Sequence, residues 1–463
     1  MKNSIVTTNK NSIAAIKKTK NLLLAASSIL AEKKSDDWVL RLWEWADSRD
    51  IAKEVIPRNK IDLLNLTNLQ LYCKLDDSTN FLGNLSKLHT LDLGFVAGAQ
   101  LPKWLIKLSN LSELNLRFCY LNILPENLFE LTQLSNLDLM ANELLALPDC
   151  FGNLTQLSEL NLFFNNLSKL PDSFGNLTQL SKLDLCNNNL SELPDSFGNL
   201  TQLSKLNLCN NNLSELPDSL GNLTQLSELD LSGNNLSELP DSFGNLTQLS
   251  KLNLFNNNLS ELPDSLGNLT QLSELNLFFN NLSKLPDSFG NLTQLSELDL
   301  SGNNLSKLPD PFGNLIHLSE LVLSSNNLSK LPDSFGNLNH LSKLKLSNNN
   351  FTVFPELLTD LVKLNRLDVS LLSLTSLPNN IGKLVELTEL NLSNNQLVNL
   401  PSSFKKLTKL KLLNLGNNQF TALPDWIVEL PNLEALYLDG NPIVQERKII
   451  SELEEQGCSV YFN

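Results

Sequence analysis

His317 and His340 stand 23 residues apart, and so do Cys186 and Cys209. Aspartate returns at the same interval from Asp149 to Asp333, nine times in succession. Each pattern suggests a chemistry. Two imidazoles begin a zinc site, but without a third ligand they make a poor one, and solvated loop histidines are expected instead. Two cysteines one interval apart have the spacing for a disulfide. No CxxC pair or flanking cysteine cluster accompanies them, however, so free thiols are expected. A row of carboxylates suits calcium, yet capping of short helices explains the same residues without an ion. The chain has neither a GxxxxGK[ST] phosphate loop nor an HExxH helix. No catalytic residue, metal or cofactor is expected, and the protein is not read as an enzyme.

The interval itself governs the chain. Aligned on L-x-x-L-x-L, the sequence starts a unit at Leu88, Leu111, Leu134, Leu157 and onward to Leu433, always 23 residues apart, after an irregular unit at Leu66. Within a unit, positions 1, 4, 6, 11, 14, 18 and 21 are apolar, position 9 is asparagine and position 15 is proline. This pattern resembles the leucine-rich repeats, in particular the intracellular 23-residue branch of Ras-suppressor and plant Ras-group type. The Trp-rich segment ending in Ile56, Pro57 and Arg58 is similar to one that precedes the repeats of some bacterial members. The resemblance implies an α/β fold: a right-handed solenoid, or horseshoe, with a parallel concave sheet and a helical N-terminal cap.

Elementary geometry agrees. Side chains alternate faces along a strand, so L-x-L places its leucines inward and the intervening residues outward. Asparagine at position 9, as in Asn165 or Asn188, is placed to satisfy backbone groups of its own and the adjacent turn. "PDSFGNL" predicts a tight segment whose first amides are capped by Asp at position 16 or Ser at 17, with Phe174, Phe197, Phe243 and Phe289 stacked inside. Position 9 is Val96, Cys119 or Leu372 in three units, and Leu372 predicts irregular geometry around Val369 to Leu374.

No unit buries its apolar face alone, so the ends need lids. Residues 1–60 read as a basic tail followed by a helical cap, with capping residues at Ser35 and Asp36 and with Trp38, Leu42 and Trp45 on one helical face. Residues 61–442 form the solenoid. Residues 443–463 read as a closing helix, ended by Gly457, and a last strand.

Composition narrows the partners. With 35 basic and 50 acidic residues the net charge is −15, which excludes a phosphate-binding surface and hence nucleic acid. No apolar run approaches the ~20 residues of a membrane span. The six cysteines are too scattered for disulfide-rich caps, so a reducing, cytoplasmic compartment is expected. Against this, the first 31 residues hold five lysines and no acid, and end in "LLLAASSILA". That segment fits either an N-terminal helix or an export signal, in which case the protein is secreted.

The six near-identical units from Leu157 to Leu272 differ at positions 3, 5, 7, 8, 13 and 18. Positions 3, 5 and 7 face outward on the sheet and position 8 lies at its rim. A variable face on an invariant frame is what a binding protein requires. Phe118, Phe163, Phe164, Cys186, Cys209, Phe255, Phe278 and Phe279 are its candidate partner-binding residues, since exposed aromatics mark interfaces. The rival explanation of the second Phe pair is copying, because the units at Leu157 and Leu272 are identical throughout. The expected function is a scaffold or adaptor that grips a protein or peptide on its concave face, as a signalling modulator or secreted effector. The alternatives are an exported adhesion protein and the regulatory subunit of a separate enzyme.

Overall fold

The computed structural model describes residues 37–73, 75–96, 101–444 and 447–462. Two compact units divide the chain, Met1–Asp138 and Leu139–Asn463, a boundary that falls inside the repeat array. The described residues of the first open with helix α1 (residues 37–48) and the short helix α2 (Lys60–Leu64). Leu42 and Ala46 of α1 are fully buried, and Trp45 packs against Phe81 of the first turn at 5.6 Å between ring centroids. Trp43 donates its indole N–H to the Pro57 carbonyl, and Arg58 reaches back to Asp47, so the connection after α1 is pinned at both ends. The expected capping residues Ser35 and Asp36 lie outside the described residues. Four parallel strands follow: β1 (Asn68–Gln70), β2 (Thr90–Asp92), β3 (Glu113–Asn115) and β4 (Asn136–Asp138).

In the second unit each repeat contributes one three-residue strand at positions 3 to 5, from β5 (Glu159–Asn161) to β17 (Ala435–Tyr437). Every strand pairs with the next in parallel, one repeat out of step: Leu160 lies opposite Leu183, and Leu275 opposite Leu298. Helix α3 (Arg447–Glu455) and strand β18 (Ser459–Tyr461) finish the array. Gly457 turns between them at φ 90°, and Leu453 and Cys458 are buried. The α/β solenoid of leucine-rich repeats, with its helical cap, is therefore the fold that forms.

Three internal rows run through the stack. Leucines at positions 1, 4, 6 and 11 are almost wholly buried. Position 18 supplies the expected aromatic column, as in Phe289, Phe312 and Phe335, whose rings stack in parallel at 6.2 and 6.0 Å. Position 9 supplies an amide ladder. Asn257 donates to the carbonyls of Leu231 and Leu254 and accepts from the Leu236 amide at 3.0 Å, and its neighbours repeat the arrangement. Cys119 keeps part of this role, its thiol donating to the Leu93 carbonyl at 3.2 Å.

Two expectations need correction. The short 3-10 turns that carry "PDSFGN" are not capped by Asp or Ser side chains: Pro at position 15 occupies the cap position and no side-chain bond closes it. With its fixed φ, proline presets the turn, and its missing N–H is no loss there. Asp172 and its equivalents are exposed at the first turn residue, while Ser173, Ser196 and Ser219 turn their hydroxyls inward. Glycine at position 19 has its own reason. A Cβ on Gly175 would sit 2.3 Å from the Ser196 carbonyl of the next turn, so the turns approach too closely for any side chain. The second correction concerns Leu372. The backbone around it is regular: Leu367 pairs with Leu344 and Leu390, and Leu371 takes the same φ as its equivalents. Leucine, 7% exposed, simply occupies the asparagine's place. Stacking against two regular neighbours overrides the lost amide.

Candidate protein-binding face

Outward residues of the strands form a polar, ordered surface. At position 3, opposite charges on adjacent strands pair off: Lys182 with Glu159, Lys205 with Glu228 and Lys251 with Glu274, at 2.6 to 2.7 Å. Position 5 is more constrained than its variability suggests. Its side chain accepts the amide of position 7 two residues on, as Asn161 does for Phe163, Asp184 for Cys186 and Asp230 for Ser232. Asn and Asp, which alternate there in the near-copies, both supply that acceptor. Burial raises the Asp184 pKa above the ordinary carboxylate value, opposed by the Cys186 amide and the Asn207 side chain.

Position 8 carries the least expected feature. In every unit from Leu88 to Leu433 it has a positive φ: 57° at Phe164, 56° at Asn187, 65° at Gly233, 56° at Phe279. Gly and Asn adopt this left-handed conformation with less strain than a bulky side chain does. Phe164 and Phe279 nevertheless occupy it, 61% and 58% exposed. Beside them at position 7, Phe163, Phe255 and Phe278 are half-buried. The rings form two groups. Phe163 and Phe164 lie at 6.1 Å. Phe255 stacks on Phe278 at 5.2 Å, which meets Phe279 edge-on at 4.8 Å. Gly302 makes room for the second group, because a Cβ there would come within 3.2 Å of the Phe278 ring.

Cys186 and Cys209 lie on the same row, and here the expectation of free thiols is overturned. In-register pairing brings their Cα atoms to 4.5 Å, within reach of a disulfide, and the two are bonded. Cys186 is thereby buried and offers little to a partner, while Cys209 stays half-exposed. In the first unit, Phe118 stacks on Phe95 at 4.9 Å, with the Arg117 guanidinium 5.3 Å from the Phe95 ring. Phe95 and Tyr120, both exposed and both at positive φ, escaped the sequence reading. Phe95 carried a signal all the same, standing one interval before Phe118. His317 and His340 are exposed with rings 6.2 Å apart, and among the described residues no group of side chains is arranged to hold a metal.

Family models described as "Leucine-rich repeat region" match residues 162–231 and 197–284, and "Leucine rich repeat" matches 132–190 and 385–443. A solved Leptospira interrogans leucine-rich repeat protein is 35% identical, covers 82% of this chain and 97% of its own, and superposes with a TM-score of 0.75. The chain belongs to the leucine-rich repeat family. This leucine-rich repeat protein also resembles the Arabidopsis receptor kinase HAESA, solved with the peptide hormone IDA and the co-receptor SERK1 (31% identity, 84% of this chain and 73% of that one, TM-score 0.63). A Listeria monocytogenes internalin, inlF, is 26% identical over 72% of this chain and 87% of its own, with a TM-score of 0.56. No curated protein matches the chain. Among the described residues, no helix is long and apolar enough to cross a membrane.

Proposed function

We propose that this protein is a binding scaffold that grips a protein or peptide on the outward face of its strands, with Phe163, Phe164, Phe255, Phe278 and Phe279 as the principal contacts. One observation carries the reading. Bulky rings are held exposed at Phe164 and Phe279, a backbone position that asparagine or glycine fills with less strain, so folding alone does not account for them. The likeness to a receptor solved with a peptide hormone supports the class of ligand. The roll of functional groups supports no reaction, and no catalytic role is proposed.

The test is site-directed crosslinking with the chain in its native host. A photoreactive residue at Lys205, on the strand face, should capture a partner that one at Asp218, on the turn side, does not. Changing Phe163, Phe164, Phe278 and Phe279 together to Ser should abolish the capture while leaving the melt unchanged. Capture from Asp218 alone, or capture unaffected by the four substitutions, refutes the assignment.

A second reading places the same scaffold outside the reducing cytoplasm, on a surface or in a secreted pool. The Cys186–Cys209 disulfide favours it, because such bonds persist in oxidising compartments. Thiol alkylation of protein taken directly from its source, before and after reduction, checks this. Both cysteines alkylated without reduction would return the protein to the cytoplasm.

A further inference from the structure

The two Phe pairs have a fixed separation, and the surface between them has a fixed sign. Strand β5 and strand β10 (Glu274–Asn276) are linked through four intervening strands, each paired in register with the next. Five steps of ~4.8 Å put Phe164 and Phe279 about 24 Å apart, which an extended chain rising ~3.3 Å per residue spans with about seven residues. Between them position 8 is Asn187, Asn210, Gly233 and Asn256, small or amide-bearing and offering hydrogen bonds to a backbone rather than apolar cover.

Charge then selects the occupant. The position-3 pairs cancel one another across this span. Position 5 does not cancel, since Asp184 and Asp230 face only asparagines there. Position 13, on the loop beyond the rim, reads Glu192, Glu215, Glu238 and Glu261, all exposed. Lys284 pairs with Glu261 at 3.4 Å, so the uncancelled margin is Glu192, Glu215 and Glu238. The run is bracketed by Lys169 and Lys284, in the two units that carry the Phe pairs. An acidic floor and margin thus lie between two aromatic anchors.

We propose that the ligand of this face is an extended basic segment laid across the strands, with two large apolar side chains about seven residues apart seated on Phe163/Phe164 and Phe278/Phe279, and with Lys or Arg between them over Asp184, Asp230 and the glutamate margin. This rests on the binding-scaffold reading above and names its ligand. The orientation, perpendicular to the strands, also separates it from pairing at a free sheet edge.

Labelled synthetic peptides titrated with the full chain and read by fluorescence anisotropy test it. The probe carries two leucines about seven residues apart with lysines between them. The comparison peptides have glutamate for lysine, a single leucine, or leucines about four residues apart. The probe should bind at least about tenfold more tightly than each of them and weaken with rising salt. Phe164→Asn and Phe279→Asn should each cost about tenfold or more in affinity for the probe and none for the single-leucine peptide whose anchor lies at the other pair. Asparagine suits the left-handed position, so these variants fold, and an unchanged or raised melting temperature shows it. Equal binding of the probe and the glutamate or short-spaced peptide overturns the proposal, as does failure of the probe to bind at all. If those outcomes accompany crosslinking from Lys205 that still depends on the four phenylalanines, only the ligand is wrong. If that dependence is absent as well, the scaffold reading falls with it.

Discussion

Phe164 and Phe279 adopt a backbone conformation that costs an L-residue about 1 kcal/mol or more, and that asparagine holds at Asn187, Asn210 and Asn256. Replacing either with Asn should therefore raise stability by about 1 kcal/mol, read as a higher denaturant midpoint. A lower midpoint would show that the rings are part of the core. Asp184 offers a second measurement of the same kind. Its pKa is raised in the folded state by burial, so the folded chain holds this proton to higher pH than the unfolded chain does. Stability should fall as pH rises through the window between the unfolded and folded values, and the penalty persists above it. Asp184→Asn keeps the acceptor for the Cys186 amide and removes the penalty. It should raise the melting temperature at pH 7 and leave it unchanged below the unfolded carboxylate pKa, where both forms are neutral. An equal gain at both pH values would point to packing instead.

At the scale of the repeat, the asparagine ladder makes the clearest demand. Asn257→Ala leaves the buried Leu236 amide without an acceptor and takes one of two donors from each of two carbonyls. The expected loss is about 3 kcal/mol, measured by urea denaturation, and a loss below 1 kcal/mol would mean that water replaces the amide. Leu372→Asn runs the other way. The backbone there is already regular, so the new amide can accept from Phe351 and donate to Leu346, and a gain of about 1 kcal/mol is expected despite the lost leucine. The ladder, the phenylalanine column and the strand register were all legible in the sequence, because each follows from one residue type recurring at one interval. What escaped was conformation rather than composition. The positive φ at position 8 is masked by a mixture of Phe, Asn, Gly, Ser, Ala and Leu, and only the Asn and Gly members hint at it. Asp at position 16 looked like a cap because the sequence does not reveal that proline already holds that place. The Cys186–Cys209 bond escaped for a different reason: spacing brought the two together, while the rest of the cysteine pattern argued against an oxidised pair.

At the scale of the chain, the ends and the copy number behave differently. Helix α1 meets Phe81 through Trp45 and holds Leu42 and Ala46 fully buried, so removing residues 37–58 should uncover Phe81 and cause aggregation or early unfolding of the first unit. A truncated chain that remains monodisperse with an unchanged melt would remove α1 from the role of cap. Among the described residues of the second unit no contact specifies how many repeats there are. Strands there meet their successors through the same pairing, and position-9 asparagines serve the repeat before them, as Asn257 accepts from Leu236 and Asn441 from Phe420. The units beginning at Leu157 and Leu272 are letter-for-letter alike, so excising residues 157–271 joins Gln156 to Leu272 with every neighbour relation preserved. That shortened protein should fold, melt cooperatively and lose the two-anchor probe, since one Phe pair remains where there were two. Near-identical coding copies are also the sequences between which recombination slips. A single unequal exchange in the gene would yield this same excision, a folded protein with its recognition erased, and the reciprocal product would carry a third Phe pair. The regularity that stabilises the stack thus makes its length, and with it the spacing of whatever it recognises, a heritable variable that can change in one generation without passing through an unfolded intermediate.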